Sequence, residues 1–384
     1  MKILMLNLFY HPYPGGTEKH LHEACTRLAK KFDVTVLCAQ SEGQPREEIV
    51  EGVRVVRTPS VVFYSLPHPL PPPLPVMFSR GADIAREAAK ADVVHLHNRF
   101  VYHLLDVAWI KKVARKKMAI TLHNARPRGI DFATDLLGGL YDDAFGYAIM
   151  KNCDRIAGVS QNTLDVTVPK EFASKTQVVY NGVDVKMFKP TNKPEGIEKR
   201  FGFEGKRVIL TVCRLVKQKG LEYLLEAMAD VLKEEKEAHL VMVGRGPLLE
   251  ELKRQAFTLG LEGSITFVSE RISEKDLARM YAACEIFCLP SLWEPFGMVV
   301  VEAMASGKPV VGSRIGGIPE IIREGETGFL TRPRAHDEIV EKILFLLKNS
   351  KKARAMGVKG RKVAESNFTW EETAKSYCRF YANI

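Results

Sequence analysis

At 384 residues the chain exceeds what one hydrophobic core usually organises, so two domains are the default. A content of 46% hydrophobic and 27% charged residues excludes a disordered chain, and no apolar run approaches the ~20 residues that span a bilayer. The net charge of +10 arises from Lys and Arg interleaved with Asp and Glu, a pattern that fits solvated helix faces better than a nucleic-acid surface.

The chain opens with a leucine-rich strand over 2–6 and a Pro/Gly loop; Asn7 and two prolines break the apolar run, which argues against a signal peptide. A helical pattern over 17–31 comes next, then strands over 33–38, 53–57, 93–97 and 118–122. The proline-dense stretch LPHPLPPPLP (66–75) reads as a surface loop or a partner site. A second series of strands falls at 207–212, 239–243, 264–267, 286–289 and 309–312. Short apolar strands alternating with amphipathic helices are the signature of βαβ units and parallel sheets. Between the two series lies KPTNKPEG (189–196), the best linker candidate. The expected fold class is therefore α/β, two doubly wound Rossmann-like domains facing across a cleft. Two basic clusters, 111–117 and 348–354, are expected on helices. The seven cysteines are odd in number and include no CxxC pair, which fits reduced thiols in a cytoplasmic protein.

In doubly wound sheets, ligands sit beyond the carboxyl ends of the strands. GGTEKH (15–20) opens the first helix, and Gly15 and Gly16 allow close approach of an anionic group to its N-terminus. Arg214 and Lys219 come after the strand at 207–212; two cations there can neutralise a diphosphate. VMVGRGPL (241–248) lacks a third glycine, so a tight turn suffices to explain it.

The richest block is CEIFCLPSLWEPFGMVVVEAMASGKPVVGS (284–313). Glu294 precedes a helix expected over 297–305, where the amides of Phe296, Gly297 and Met298 also lie. Glu302, roughly 12 Å further along, interrupts an otherwise apolar helix. A carboxylate there costs several kcal/mol unless paired or bound, by sugar or ribose hydroxyls or by a structural Arg.

The paired glutamates with EPFG, EAMASGKPVV and IGGIPEII…TGFL, preceded in order by GGTEKH, DVVHLHN, TLHN, GVS, NGVD and VGRGP, resemble retaining glycosyltransferases of family four. The resemblance implies the GT-B fold, with domains at 1–188 and 189–367 and a last helix over 368–384 crossing back to the first. It implies a retaining transfer of a hexosyl group from a UDP- or GDP-sugar to a hydroxyl of a lipid-linked, polysaccharide or sugar-phosphate acceptor. Neither cofactor nor metal is required, no DxD signature is present, and nucleic acid is not a partner. Arg214 and Lys219 then resemble the diphosphate clamp, Glu302 the ribose-binding carboxylate, and Glu294 the group on the donor sugar's hydroxyls. Gly16 resembles a pyrophosphate contact, and His123 the histidine beside the reacting centre. Asn181 of NGVD is expected to be structural. Glu270, Arg271 and Ile272 fall where the nucleobase pocket is lined, after Ser269 in place of a frequent glycine.

His95, His97 and His123 invite a metal hypothesis; placing His95 and His97 on opposite faces of their strand argues against one shared ion. Glycoside hydrolysis would also use paired carboxylates, but it has no use for a cationic clamp. A sugar-nucleotide-binding protein without turnover is the other alternative, whereas an NAD-dependent oxidoreductase lacks its glycine fingerprint. A peripheral position at the inner face of the membrane is a further expectation, from the 111–117 cluster and the proline-rich stretch.

Overall fold

The structure is a computed structural model and describes residues 1–64, 74–99, 102–126, 132–191 and 196–384. The proline-rich stretch thus lies outside the described residues except for Leu74 and Pro75, as do residues 192–195 of the expected linker. The chain divides into two compact units, the first Met1–Asn181 with Trp370–Ile384, the second Gly182–Thr369.

Unit 1 contains β1 (Lys2–Leu6), β2 (Asp33–Ala39), β3 (Glu47–Val50), β4 (Val53–Thr58), β5 (Ser60–Phe63), β6 (Leu74–Met77), β7 (Val93–His97), β8 (Lys117–Leu122), β9 (Arg155–Gly158) and β10 (Thr176–Val178). Eight of these form one sheet in the order β10-β9-β8-β7-β1-β2-β4-β3. All pairs are parallel except β3 with β4; β5 and β6 form a separate antiparallel pair in which Pro75 lies opposite Val62. Alternation decides the packing: Leu4 and Leu6 join Leu96, Ile120 and Ile156 on one side, while Ile3 and Met5 join Val36, Ala119 and Ala157 on the other. Both faces are covered, which is why the strands read as continuous apolar runs. Helix Trp370–Ala382 contributes Tyr377, Phe380 and Tyr381 to the second side.

Unit 2 contains β11 (Arg207–Val212), β12 (Ala238–Val243), β13 (Ile265–Val268), β14 (Ile286–Leu289), β15 (Val310–Ser313) and β16 (Gly328–Thr331). They form a sheet in the order β13-β12-β11-β14-β15-β16, parallel throughout. Residues 182–188 fall in this unit, and the reason is visible in the packing. Arg361 bonds to the carbonyls of Val185, Phe188 and Ala305, Phe188 stands edge-on to Tyr281, and Val183 N donates to Phe368 O at 2.7 Å.

The basic cluster 111–117 is not one helix. Helix Tyr102–Lys112 ends inside it, Arg115 takes a left-handed φ of 53°, and Lys117 begins β8. Lys111 lies 2.5 Å from Asp154, and Lys116 donates to the Ala89 carbonyl. No described helix is long and apolar enough to cross a membrane.

Candidate functional site

In unit 2 the strand order reverses between β11 and β14, and the loops after these strands carry the expected donor-binding residues. The two loops are tied together where Leu292 N and Trp293 N both donate to Gln218 O, at 2.8 and 3.3 Å. Lys219 closes the one-turn helix Lys217–Lys219, and its ammonium lies 2.6 Å from Glu294 Oε2, with side chains only 15% and 12% exposed. Shielding of this kind makes each charge depend on the other, because removing either leaves its partner poorly solvated. Arg214, by contrast, is exposed and forms no ion pair among the described residues.

The backbone of Glu294 is fixed as well. Its carbonyl accepts from Gly317 N at 3.0 Å, and a Cβ on Gly316, at φ +57°, would come within 1.8 Å of that carbonyl oxygen. The helix beyond runs Met298–Ala305, with Gly297 before it. The first described backbone bond into it runs from Val300 N to Gly297 O at 3.0 Å, so the amides of Gly297, Met298 and Val299 precede the ladder. The Phe296 ring is buried edge-on to Phe368.

Glu302 is buried, and the Tyr281 hydroxyl donates to its Oε2 at 3.0 Å. Burial, and after it the charge of Glu302, pushes the Tyr281 hydroxyl well above its ordinary range, so it stays a donor. The glycines of VGRGP do more than close a turn. Cβ atoms on Gly244 and Gly246 would lie 1.8 and 2.2 Å from the carbonyl oxygens of Cys213 and Leu215, so only glycine lets this loop pack on the one bearing Arg214. In the segment after β13, Glu270 is turned to Arg200 at 2.5 Å. Arg245 Nε donates to Ser269 O at 2.6 Å; Arg271 is exposed and Ile272 half-buried.

Unit 1 reverses its strand order between β1 and β7. Gly15 precedes helix Gly16–Leu28, and a Cβ there would lie 2.0 Å from Glu18 Oε2. The Glu18 carboxyl is thus folded over the first turn, where burial raises its pKa. His123, after β8, is buried; its Nε2 lies 2.9 Å from His97 Nδ1, and its backbone N–H donates to Asn98 Oδ1 at 3.0 Å.

The expectation that His95 and His97 point to opposite faces is wrong. Residues two apart on a strand share a face, and the two rings stack with centroids 4.7 Å apart. His20, from the first helix, stands edge-on to His123 at 4.6 Å. Its Nδ1 is 2.6 Å from Asn181 Oδ1 and its Nε2 2.7 Å from the Tyr377 hydroxyl, which gives Asn181 its structural part. Tyr377 continues to Thr121 at 3.0 Å, Thr121 to His95 Nε2 at 2.8 Å, and His95 Nδ1 to the Tyr381 hydroxyl at 2.5 Å. Burial lowers the pKa of all four imidazoles, His20 to about 4 and His95 to about 3. Among the described residues no group of three or more His, Cys, Asp or Glu is placed to hold a metal ion. His20 and Tyr281 were missed from sequence; His97 was weighed there only as a metal ligand, and the face it shares with His95 was the available signal for its place beside His123.

Two Rossmann-like units, one with a cation–carboxylate pair at its switch point, are the architecture of the GT-B fold. Residues 14–187 match the family model "Glycosyltransferase Family 4" and residues 192–363 match "Glycosyl transferases group 1", and the chain belongs to this family of glycosyltransferases. Spore coat protein SA of Bacillus subtilis is 29% identical over 99% of each chain. The GDP-mannose-dependent alpha-(1-6)-phosphatidylinositol monomannoside mannosyltransferase of Mycobacterium tuberculosis is 24% identical over 99% of this chain and 97% of its own. The crystal structure of Anabaena HepE in complex with UDP shares the fold with a TM-score of 0.79, at 22% identity over 100% of both chains.

Proposed function

We propose that this glycosyltransferase moves a hexosyl group, with retention and without a divalent metal, from a UDP- or GDP-sugar to a hydroxyl acceptor. The observation that carries the reading is the shielded Lys219–Glu294 pair beside the exposed Arg214, at the switch point of a Rossmann-type sheet. Cations there stabilise the charge that develops on a departing diphosphate. Lys219 pairs with Glu294, and donor binding exchanges this carboxylate for the diphosphate at the ammonium while Glu294 turns to the sugar's hydroxyls. Glu302, held by Tyr281, takes the ribose, and His123 serves the donor sugar. The glycosidic C1–O bond to the diphosphate breaks; the acceptor oxygen bonds to C1 on the same face and passes its proton to the leaving phosphate. The UDP bound to HepE and the GDP-mannose named for the mycobacterial relative support a nucleoside diphosphate sugar as donor.

A thermal-shift screen against UDP, GDP, ADP and their sugars tests the donor class. A rise in Tm of several degrees with one nucleotide series is expected, and no rise with any would overturn the reading. Turnover should survive EDTA; loss of activity restored by Mg2+ or Mn2+ would defeat the metal-free route.

The acceptor is proposed to be lipid-linked at an anionic membrane surface. Supporting this, the β5–β6 pair and its flanks expose Val61, Phe63, Tyr64, Val76 and Phe78; the basic cluster does not join this patch, since Lys117 begins β8 at the opposite, amino-terminal edge of the parallel sheet and Lys111 is ion-paired there with Asp154. Co-sedimentation with anionic vesicles at low salt is expected. Protein left in the supernatant would favour a polysaccharide or sugar-phosphate acceptor.

A further inference from the structure

The histidine network of unit 1 contains more titratable groups than the proposed chemistry uses, and its hydrogen bonds have a direction. Asn181 Oδ1 is an acceptor, so His20 Nδ1 carries a proton and His20 Nε2 accepts from the Tyr377 hydroxyl. Tyr377 then accepts from Thr121, Thr121 from His95 Nε2–H, and His95 Nδ1 accepts from Tyr381. One assignment satisfies every member with neutral imidazoles.

The His97–His123 pair stands apart from that chain, and two arrangements are open to it. If His123 donated from Nε2, His97 would carry its proton on Nε2, a buried atom with no partner among the described residues. If His97 donates from Nδ1, the same buried atom bears only a lone pair. A buried N–H without an acceptor is the rarer and costlier orphan. Both rings are enclosed, and the neighbouring imidazoles of His20 and His95 disfavour a second proton on either.

We infer that His97 is a positioning residue for His123, donating from Nδ1 to His123 Nε2 and so fixing His123 as a neutral imidazole protonated on Nδ1. In that state His123 offers a hydrogen-bond donor and is no general base. This rests on the reading of His123 as the group serving the donor sugar, where a fixed N–H donor orients a hydroxyl or ring oxygen without taking its proton. The backbone bond from His123 to Asn98 Oδ1 fixes the other end of the residue, so the ring is held at both its main chain and its Nε2.

Nitrogen-15 NMR of the full chain labelled in histidine tests the tautomer directly at pH 7. His123 is expected to show a protonated Nδ1 and an unprotonated Nε2; the opposite pattern overturns the inference whatever the activity data say. His97→Phe keeps a ring and removes the donor. It should mix the His123 tautomers and lower kcat about tenfold, with the Kd for UDP or GDP unchanged. His97→Asn places an amide N–H near the lost Nδ1–H and should restore most of kcat. Unchanged tautomer and kcat in His97→Phe would also overturn it. Full turnover by His123→Phe would instead remove the functional reading beneath it, with the wild-type spectrum still deciding the tautomer.

Discussion

Glu302 and Glu294 are acids of the same type on one segment, and their surroundings give them different work. Glu302 sits on an otherwise apolar helix and accepts from the Tyr281 hydroxyl, whereas Glu294 is paired with a cation. A hydrogen bond to a charged group contributes about 1.5–3 kcal/mol, so Tyr281→Phe should lower stability by about that much in urea titrations. It should also weaken UDP or GDP binding several-fold, measured by calorimetry, because Glu302 loses a hydrogen bond that orients it for the ribose. Glu302→Ala should weaken the bare nucleotide too, while Glu294→Ala, which frees the Lys219 ammonium, should not weaken it and should reduce turnover of the sugar nucleotide. Equal effects of the two glutamate variants on free nucleotide would sink this division. For the cations, Arg214→Ala and Lys219→Ala should each lower kcat by at least ~10²-fold, since each removes a donor to a developing anion. Near-normal kcat in either variant would remove that residue from the clamp. At this scale the sequence displayed residue types and order but not partners. A buried Glu announces a need, and whether Arg, ribose or Tyr meets it depends on helix Glu274–Ala283, about twenty residues upstream.

Elements were legible wherever burial on both faces left a plain signal. β1, β7, β11 and β14 stand at the residues that the apolar runs between glycines and prolines indicate, because a parallel strand covered on both sides has no reason to alternate. The short antiparallel β3 and the β5–β6 pair gave no such signal; all their side chains but that of Pro75 are exposed or half-buried. The lysines of 111–117 misled for a related reason: charge periodicity says which residues are solvated, not whether the backbone is helix, turn or strand entry. Loop-to-loop packing was likewise hidden, since two glycines spaced in sequence look like a turn until the carbonyl they abut is known. Gly316 makes such a contact testable. Its substitution by Ala places a methyl into the Glu294 carbonyl on a backbone of positive φ, so the loop must move. A loss of about 2–4 kcal/mol is expected from unfolding of unit 2, together with disruption of the Lys219–Glu294 pair. Were Gly316→Ala to keep wild-type stability and turnover, the tight contact would not be what places Glu294.

At the scale of the whole molecule the two units differ in what acid does to them. Unit 1 encloses His20, His95, His97, His103 and His123 as neutral rings with pKa values held down by burial, and half-buried His22 is lowered likewise; among the described residues of unit 2 only His239 is lowered in this way. An imidazole whose folded pKa lies below its unfolded value of about 6.5 binds its proton more readily in the unfolded chain. Stability is therefore undiminished above about pH 6.5 and falls as pH drops, by about 1.4 kcal/mol per pH unit for each such histidine. The loss continues until the folded pKa is reached, about 4 for His20 and about 3 for His95. Glu18 works the other way, since its raised pKa lets the folded state take up a proton first, but one carboxyl does not offset six imidazoles. Glu87, held near 2 by its arginine and lysine neighbours against the opposing effect of burial, adds to the loss only below its ordinary range near 4.5. Between about pH 6.5 and 4.5 the histidines should thus dominate. Hydrogen exchange at pH 7.5, 6 and 5 should show protection falling steeply in unit 1 and little in unit 2. His20→Gln should reduce the slope for unit 1 by about 1.4 kcal/mol per pH unit. Equal acid sensitivity of the two units, or a slope unchanged by His20→Gln, would mean that the buried network titrates together with the unfolded chain and is not held neutral by the fold.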